Sequence, residues 1–335
     1  MKKKLISVIL SAALVAAALT GCGGSAKTDD SASSSGKGVI YGIYKEGDQT
    51  WFIQEGDAAK AAAEKAEYSF TYVDAKMDSQ QYLNAIDNAI ANKAVGIVTC
   101  PVDQTMSQAI VERAKNANIP IVAADDALQD ASGNKLAPWV GIDGYNIGYA
   151  NGEWIANYAK DNSLVNDNSV GLLLMTMSTV SSCVPRTDGE LAAFTKTAPD
   201  FPKGRIFTCD YDGTTDKGNT ASAAIFTAHP EIKTWLVTGA NEEGTVGACR
   251  ALESAGLADK ACVVGLGAYL AKDEWKKPST PMKASAYFSS LQVGDGSVQV
   301  LLQAIAGQNP PMETAVSATI VTPDNYKDVM GADAN

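Results

Sequence analysis

The chain has 335 residues, of which 46% are hydrophobic and 19% are charged, and its formal net charge at pH 7 is −11. This length is too great for one typical hydrophobic core and predicts two domains. The acidic balance, with no basic stripe to offset it, argues against nucleic acid as a partner.

The first 22 residues, MKKKLISVILSAALVAAALTGC, contain three lysines, an apolar run of about 15 residues and small residues before Cys22. This order is typical of an export signal. The end of the segment resembles the lipobox of bacterial lipoproteins, which implies cleavage before Cys22 and a diacylglycerol on its sulfur. An uncleaved membrane anchor is the alternative, although the run is short for a span.

We therefore expect a signal peptide over residues 1–21 and a mature protein outside the cytoplasmic membrane, attached to it only through the lipid on Cys22. Loss of the leader's three lysines changes the formal charge from −11 to −14. Residues 22–37 are small and polar, which predicts a flexible tether. No later stretch approaches 18 consecutive apolar residues, so no membrane span is expected in the body.

Short β-rich runs alternate with helical patterns from Val39 onward. The predicted elements are strand 39–44, helix 51–66, strand 70–73, helix 82–93, strand 95–100, helix 106–117 and strand 119–124, followed by strands 169–175, 204–209, 233–239 and 261–267 with helices between them. A spacing of roughly 25 residues from strand to strand indicates right-handed crossovers and parallel sheets. The fold class is therefore α/β, with two doubly wound parallel-sheet domains.

The chain is expected to pass between the two domains three times, which would form a three-segment hinge beside a cleft. The crossings are placed near Ile142–Gly144, Ala286–Tyr287 and Val316–Ser317. The N-terminal lobe would then comprise residues 38–142 and 287–316, and the C-terminal lobe residues 143–286 and 317–332.

Cysteine and histidine usage argues against metal or redox chemistry. Five cysteines follow Cys22, and their odd number and the absence of a C-x-x-C motif favour small buried thiols over disulfides or a thiolate metal site. The single histidine, His229, precedes a proline and is expected to end a helix. One histidine alone favours neither a Ser-His triad nor a His-rich metal site. We expect no metal and no cofactor.

Polar and aromatic side chains follow the predicted strands at their carboxyl ends, where parallel sheets bind ligands. They are Lys45, Trp51, Phe52, Asp125 and Asp126 in the first domain and Arg186 and Asn241 in the second. Carboxylates accept hydrogen bonds, Lys and Arg donate them, and Asn does both, so the set suits the hydroxyls of a sugar. An indole can lie against the C–H face of a sugar ring, and the two cations would compensate the adjacent aspartates.

Six stretches carry a resemblance to a known family. They are YKEGDQTWF (44–52), NAIDNAIA (84–91), IVAADD (121–126), PRTDG (185–189), HPEIKTWLVTGAN (229–241) and IVTPDNYK (320–327). In order and spacing they resemble the sugar-binding proteins of ABC transporters with the type I periplasmic-binding-protein fold, and among these the L-arabinose-binding proteins. The resemblance covers about residues 38–330.

The resemblance implies a ligand site and a partner. The implied ligand-binding residues are Lys45, Trp51, Asp125, Asp126, Arg186 and Asn241, and the candidate wall residues are Phe52, Gln49, Ile142, Val180 and Gly267. Two positions depart from the arabinose-binding pattern, because Gln49 replaces an acidic residue and Gly267 or Ala268 replaces an asparagine. The implied function is capture of an arabinose-like pentose or related hexose by a monomer that delivers it to an ABC permease.

Simpler structural roles remain open for each candidate. Trp51 could belong to the ordinary core, the aspartates could form a solvated turn, Arg186 could pair with Asp188 at the surface, and Asn241 could only cap a helix. An enzyme is disfavoured, because adjacent carboxylates on one strand do not face each other across a scissile bond and no G-x-S-x-G, Walker or G-x-G-x-x-G motif is present. A binding protein that reports to a chemoreceptor or membrane sensor, or one for another small polar ligand, is the alternative.

Overall fold

The computed structural model describes residues 36–334. The expected leader, the lipidation site at Cys22 and all but the last two residues of the expected tether lie outside the described residues. Residues 36 onward form one compact unit.

Twelve strands are present in the described residues. They are β1 Val39–Tyr44, β2 Ser69–Asp74, β3 Gly96–Thr99, β4 Ile121–Asp125, β5 Trp139–Gly141, β6 Val170–Thr176, β7 Ile206–Asp210, β8 Thr234–Gly239, β9 Ala261–Gly267, β10 Met282–Tyr287, β11 Glu313–Ala315 and β12 Thr319–Val321. They form two six-stranded sheets, in the orders β11-β5-β4-β3-β1-β2 and β12-β10-β9-β8-β6-β7. All pairs are parallel except β10 with β12, which is antiparallel.

Helices cover both faces of each sheet. They are α1 Thr50–Lys65, α2 Ser79–Ala91, α3 Ser107–Asn116, α4 Gly144–Asp161, α5 Val184–Thr197, α6 Thr215–Ala228, α7 Glu242–Ser254, α8 Ala271–Glu274, α9 Ser290–Ile305 and α10 Tyr326–Met330. The first sheet has α1 and α9 packed together on one face and α2 and α3 on the other, while α4–α5 and α6–α7 are the packed pairs of the second sheet. The predicted class, two doubly wound α/β domains, is confirmed. None of the described helices combines the length and apolar character that crossing a membrane requires.

Hydrophobic patterning accounts for the long elements. The central strands β3, β4 and β9 are buried at every residue, as expected for parallel strands with helices on both faces. Helix starts follow from capping side chains, because Asp78, Asp143 and Ser289 each accept a hydrogen bond from a backbone N–H in the first turn of α2, α4 and α9.

The chain changes sheet at three places, between β5 and α4, between β10 and α9, and between β11 and β12. The caps Asp143 and Ser289 stand at the first two of these places, so a new helix begins directly where the chain leaves one sheet for the other lobe. The last connection is only three residues long. The sequence analysis did not predict β5, β10, β11 and β12 as strands.

The cysteines and the histidine lie as expected. Cys100, Cys183, Cys249 and Cys262 are buried, Cys209 is partly buried, and all five are free thiols. His229 follows the last residue of α6, and its Nδ1 lies 3.0 Å from Glu231 Oε1.

Candidate functional site

A cavity lies between the carboxyl ends of the two sheets. It is next to β1 and β6, the strands from which successive strands are added first on one side and then on the other, and ligands of such sheets bind at these switch points. Its lining combines charged, amide, aromatic and thioether side chains from both lobes: Lys45, Glu46, Gln49, Trp51, Phe52, Met77, Asp125, Met177, Val180, Cys183, Arg186, Asn241, Leu266, Tyr269 and Phe288. Five of the six predicted ligand-binding residues are in this set. The sixth, Asp126, lines a neighbouring cavity together with Asp125 and Arg186.

Lys45 and Asp126 form a buried ion pair directly behind the cavity. Lys45 follows β1 and Asp126 follows β4, so the sheet order places them close together, and the ammonium donates a hydrogen bond to Asp126 Oδ2. The same ammonium lies 3.4 Å from Ser182 Oγ, which belongs to the other lobe. Lys45 therefore contacts both halves of the molecule.

The pKa values of the adjacent aspartates Asp125 and Asp126 are shifted in opposite directions. Burial raises the pKa of Asp125 to about 6, reinforced by the neighbouring Asp126 and opposed by Arg186 and Lys45. Burial acts in the same direction on Asp126, but Lys45 and Arg186 together hold the pKa of that carboxyl below its usual value. The charge of this pair is thus balanced by two cations, one from each lobe.

Asp125 is oriented by its backbone. Its φ of 61° lies in the left-handed region, which Asp tolerates better than most residues, and its carbonyl accepts a hydrogen bond of 2.8 Å from Trp139 Nε1. The Oδ1 atom of Asp125 is buried and has no hydrogen-bond partner among the described residues. A buried acceptor without a partner is costly, so this atom is suited to receive a hydroxyl from a ligand.

Arg186 lies in the first turn of α5 and is buried, with 8% of its surface exposed. Its Nη1 donates to the carbonyl of Ala240 at 3.1 Å, while its Nε has no partner among the described residues. The surface pairing with Asp188 that the sequence left open is therefore wrong. The guanidinium instead faces the cavity and the two aspartates.

Asn241 has both roles that the sequence allowed. Its Oδ1 caps α7 by accepting from the backbone N–H of Gly244 at 2.9 Å, and it also accepts from the Tyr211 hydroxyl at 2.5 Å. Its Nδ2 donates to the carbonyl of Gly213 at 2.8 Å. The acceptor is thus fully used, and one amide N–H is left to face the cavity.

Three aromatic side chains that meet at Trp51 form a wall of the cavity. The Trp51 ring lies 4.6 Å from the Phe288 ring and 5.7 Å from the Tyr269 ring, measured between centroids. Trp51 comes from the first lobe, Tyr269 from the second and Phe288 from the connection before α9. The lining thus offers aromatic faces beside charged and polar groups, which suits a ligand with an apolar face and polar edges.

The structure places the predicted wall residues in different positions relative to the cavity. Gln49, Phe52 and Val180 line the cavity, whereas Ile142 lines the neighbouring cavity instead. Gly267 is in neither lining, and the ring of Tyr269 occupies the space where its side chain would be: a Cβ on Gly267 would stand 2.2 Å from Tyr269 Cε1.

Sequence reasoning missed seven residues of the lining: Glu46, Met77, Met177, Cys183, Leu266, Tyr269 and Phe288. Tyr269 lies two residues beyond the strand predicted to end at Gly267, and Phe288 directly follows the predicted crossing at Ala286–Tyr287. Neither position alone indicates a side chain that faces the cavity. Glu46 was detectable, since it directly follows Lys45. It accepts a hydrogen bond from Gln49 Nε2 at 2.8 Å, and burial raises its pKa to about 7.

Cys100, Asp125 and Asp126 form the one described group of side chains that could approach a metal ion, with ligand atoms within 4.8 Å of one another. The Lys45 ammonium already contacts Asp126 at this position. A cation supplied by the chain occupies the place that a metal would take, so the residues do not fit a metal centre.

A second group of buried polar side chains joins α5, which carries Arg186, to β8 and α4. Glu190, one turn further along α5, accepts from Thr238 Oγ1 at 2.7 Å, while Asn151 Nδ2 donates to the carbonyl of Gly265 at 2.9 Å and lies 3.5 Å from the Glu190 carboxylate. The other oxygen of Glu190 has no partner among the described residues, and burial raises the pKa of this carboxyl to about 8.

Glu190→Gln is expected to remove a pH-dependent loss of stability. The folded state holds the Glu190 proton more tightly than the unfolded chain does. The stability that protonated Glu190 contributes is therefore complete below pH 4.5, the usual pKa of a glutamate, and is lost as pH rises through about 8. We expect wild type to lose about 2 kcal/mol more than Glu190→Gln between pH 6 and pH 9. Urea unfolding at several pH values measures this difference, and parallel profiles for the two proteins would contradict it.

Comparisons with known proteins agree with this arrangement. A family model described as a periplasmic binding protein domain matches residues 40–309. An ABC transporter L-arabinose-binding periplasmic protein from Azospirillum brasilense is 33% identical over 295 residues, covering 86% of this chain and 87% of the relative. The L-arabinose-binding periplasmic protein of Escherichia coli (strain K12) is 28% identical over 303 residues, covering 85% and 88%.

A solved structure shares the fold. An ABC transporter solute-binding protein from Bacillus halodurans C-125, with bound myo-inositol, superposes with a TM-score of 0.74 at 23% identity, covering 89% of this chain and 99% of that one. The family model covers most of the described residues, and the family resemblance seen in the sequence is confirmed. The chain belongs to the periplasmic binding protein family.

Proposed function

We propose that this protein is an extracytoplasmic solute-binding protein that captures a monosaccharide between its two lobes and delivers it to an ABC permease. The observation that carries the proposal is that two charged side chains of the lining each hold a buried polar atom with no partner among the described residues, Asp125 Oδ1 and Arg186 Nε. One accepts and the other donates, which matches the dual character of a sugar hydroxyl. The chain's relatives, two of them named as L-arabinose-binding periplasmic proteins, favour an aldopentose or a related hexose.

Charge balance favours a neutral ligand. Lys45 and Arg186 offset Asp125 and Asp126, and burial raises the pKa of Glu46, the third carboxyl at the cavity, to about 7, which favours its neutral form. An anionic or cationic ligand would therefore leave an uncompensated charge in a buried cleft. Trp51 adds aromatic surface to the same lining. A polyol with one C–H face satisfies both surfaces at once.

The proposed mechanism is closure around the ligand. Lys45, Trp51, Asp125 and Asp126 belong to the first lobe, and Arg186 and Asn241 to the second, so a ligand that bonds to both groups favours the closed state. The hinge would be the three connections between residues 38–142 plus 287–316 and residues 143–286 plus 317–332. A permease then needs only to distinguish closed from open.

Lipid attachment through Cys22, cleavage of residues 1–21 and a monomeric state complete the proposal. The lipobox-like residues before Cys22 support the attachment. Metabolic labelling with a radiolabelled fatty acid tests it, with Cys22→Ser as the control that should lose the label.

Isothermal titration of the chain from Gly36 onward tests the binding function directly. The sugars are L-arabinose, D-xylose, D-ribose, D-galactose, D-glucose and D-fructose. We expect a submillimolar dissociation constant for one of them, because several charged hydrogen bonds form in a desolvated cleft. Absence of heat with all six, from a protein that melts cooperatively, would contradict a sugar-binding function.

A further inference from the structure

The chain turns sharply after β9. Gly267 has a φ of 127° and Ala268 a φ of 63°, so two successive residues adopt conformations that ordinary side chains disfavour. The Tyr269 ring folds back over Gly267 into the space that a side chain at the strand end would take. The strand-end position of β9 is therefore occupied by a residue two places further along the chain.

Two adjacent carboxylates hold this loop. Glu242 accepts hydrogen bonds from the backbone N–H groups on either side of Tyr269, at 2.8 Å from Ala268 and 2.7 Å from Leu270. It also accepts from Ser285 Oγ at 2.6 Å. Glu243 accepts from the Tyr269 hydroxyl at 2.7 Å. Backbone and side chain of the loop are thus both fixed from the first turn of α7.

The fixed ring faces the cavity. Tyr269 is 7% exposed and is part of the lining, whereas Glu243 is outside that set. The Tyr269 hydroxyl therefore donates its hydrogen bond to Glu243, away from the cavity, and the aromatic ring forms the cavity wall. Leu266 and Trp51 extend the same apolar surface.

We propose that Tyr269 is a specificity-determining residue, and that it selects sugars carrying a C–H or methyl group, rather than a hydroxyl, at the position facing the end of β9. This inference rests on the proposed sugar-binding function. A ligand hydroxyl against the ring would lose its water and gain no equivalent partner. An apolar wall of this kind discriminates by about 10-fold to 100-fold, not more.

Glu242 and Glu243 are positioning residues in this scheme. Neither is part of the cavity lining: Glu242 fixes the loop backbone on both sides of the ring, and Glu243 keeps the Tyr269 hydroxyl engaged. The backbone bonds to Glu242 and the contact with the Trp51 ring hold the aromatic ring in the wall, so it stays there when only the hydroxyl is removed.

The test compares sugar pairs that differ by one hydroxyl: D-galactose with D-fucose, D-ribose with 2-deoxy-D-ribose, and D-glucose with 2-deoxy-D-glucose. For wild type we expect the deoxy member of at least one pair to bind about 10-fold more tightly. Tyr269→Asn supplies an amide that can bond to a hydroxyl, so it should shift that ratio at least about 10-fold toward the parent sugar. Tyr269→Phe keeps the ring and should keep the ratio.

The outcomes separate the inference from the function beneath it. Binding in wild type without a deoxy preference in any pair would overturn the inference alone, as would an unchanged ratio in Tyr269→Asn. Loss of the preference in Tyr269→Phe would also overturn it. If thermal melting shows that Tyr269→Asn is not folded, Tyr269→Phe still tests the inference. Absence of binding to all six sugars would overturn the sugar-binding function and the inference with it.

Discussion

Replacing Arg186 with alanine is expected to weaken sugar binding by about 1 to 3 orders of magnitude, or roughly 1.5 to 4 kcal/mol. Its buried Nε has no partner among the described residues, and its Nη1 is held by the carbonyl of Ala240. The guanidinium is therefore fixed in position before a ligand arrives, and little entropy is lost when it bonds to a hydroxyl. Isothermal titration with the tightest-binding sugar measures the effect.

Arg186 also lowers the pKa of Asp125, which burial raises to about 6. Its removal should raise that pKa further, so part of the loss in Arg186→Ala should appear as binding that becomes pH-dependent near neutrality. Arg186→Lys keeps the charge but not the planar fork, and should lose less affinity than the alanine variant.

Arg113→Ala is a matched control for this substitution. Arg113 lies on α3 and pairs with Asp87 at 3.1 Å on the surface of the first lobe. Its removal should leave sugar affinity unchanged. Wild-type affinity in Arg186→Ala, or an equal loss in both variants, would contradict the assignment of Arg186 to the binding site.

The fold class could be predicted from the sequence because the long strands and helices have clear hydrophobic patterns. The central strands β4 and β9 are continuous apolar runs, and helices with caps such as Asp78 and Asp143 separate the strands. Strands β5, β11 and β12 are only three residues long. So short a segment has no detectable period, and pairing with an existing sheet decides its structure.

The candidate site was predictable where ligand groups follow directly from strand ends. Lys45, Asp125 and Asn241 each lie within two residues of a strand terminus, and the sheet order brings them to one cavity. Tyr269 was not predictable, because two successive positive φ angles redirect the chain. Glu190 was hidden for a different reason: its partners come from β8 and α4, and only tertiary packing brings them together.

Lys45→Met is expected to lower the free energy of unfolding by about 3 to 5 kcal/mol, because it leaves Asp126 buried without its cation. The Lys45 and Asp126 side chains are 9% and 6% exposed, so water cannot replace the ammonium, and Asp125 lies next in the chain. Urea unfolding at pH 7 measures this loss. Lys60→Met is the control: Lys60 pairs with Glu64 at 4.0 Å on an exposed helix face, where an ion pair contributes less than about 1 kcal/mol.

The pH dependence of Lys45→Met identifies the cause of its loss. In wild type the lowered pKa of Asp126 contributes stability above the usual value of 3.8, and this contribution is lost as pH falls below it. Without Lys45 the pKa of the same carboxyl should rise, so the variant should recover part of its deficit as pH falls from 7 toward 5. The double variant Lys45→Met/Asp126→Asn removes both charges and should be more stable than Lys45→Met alone. An equal effect of Lys45→Met and Lys60→Met would mean that Asp126 is solvated, and the cavity could then not be the desolvated cleft that sugar binding requires.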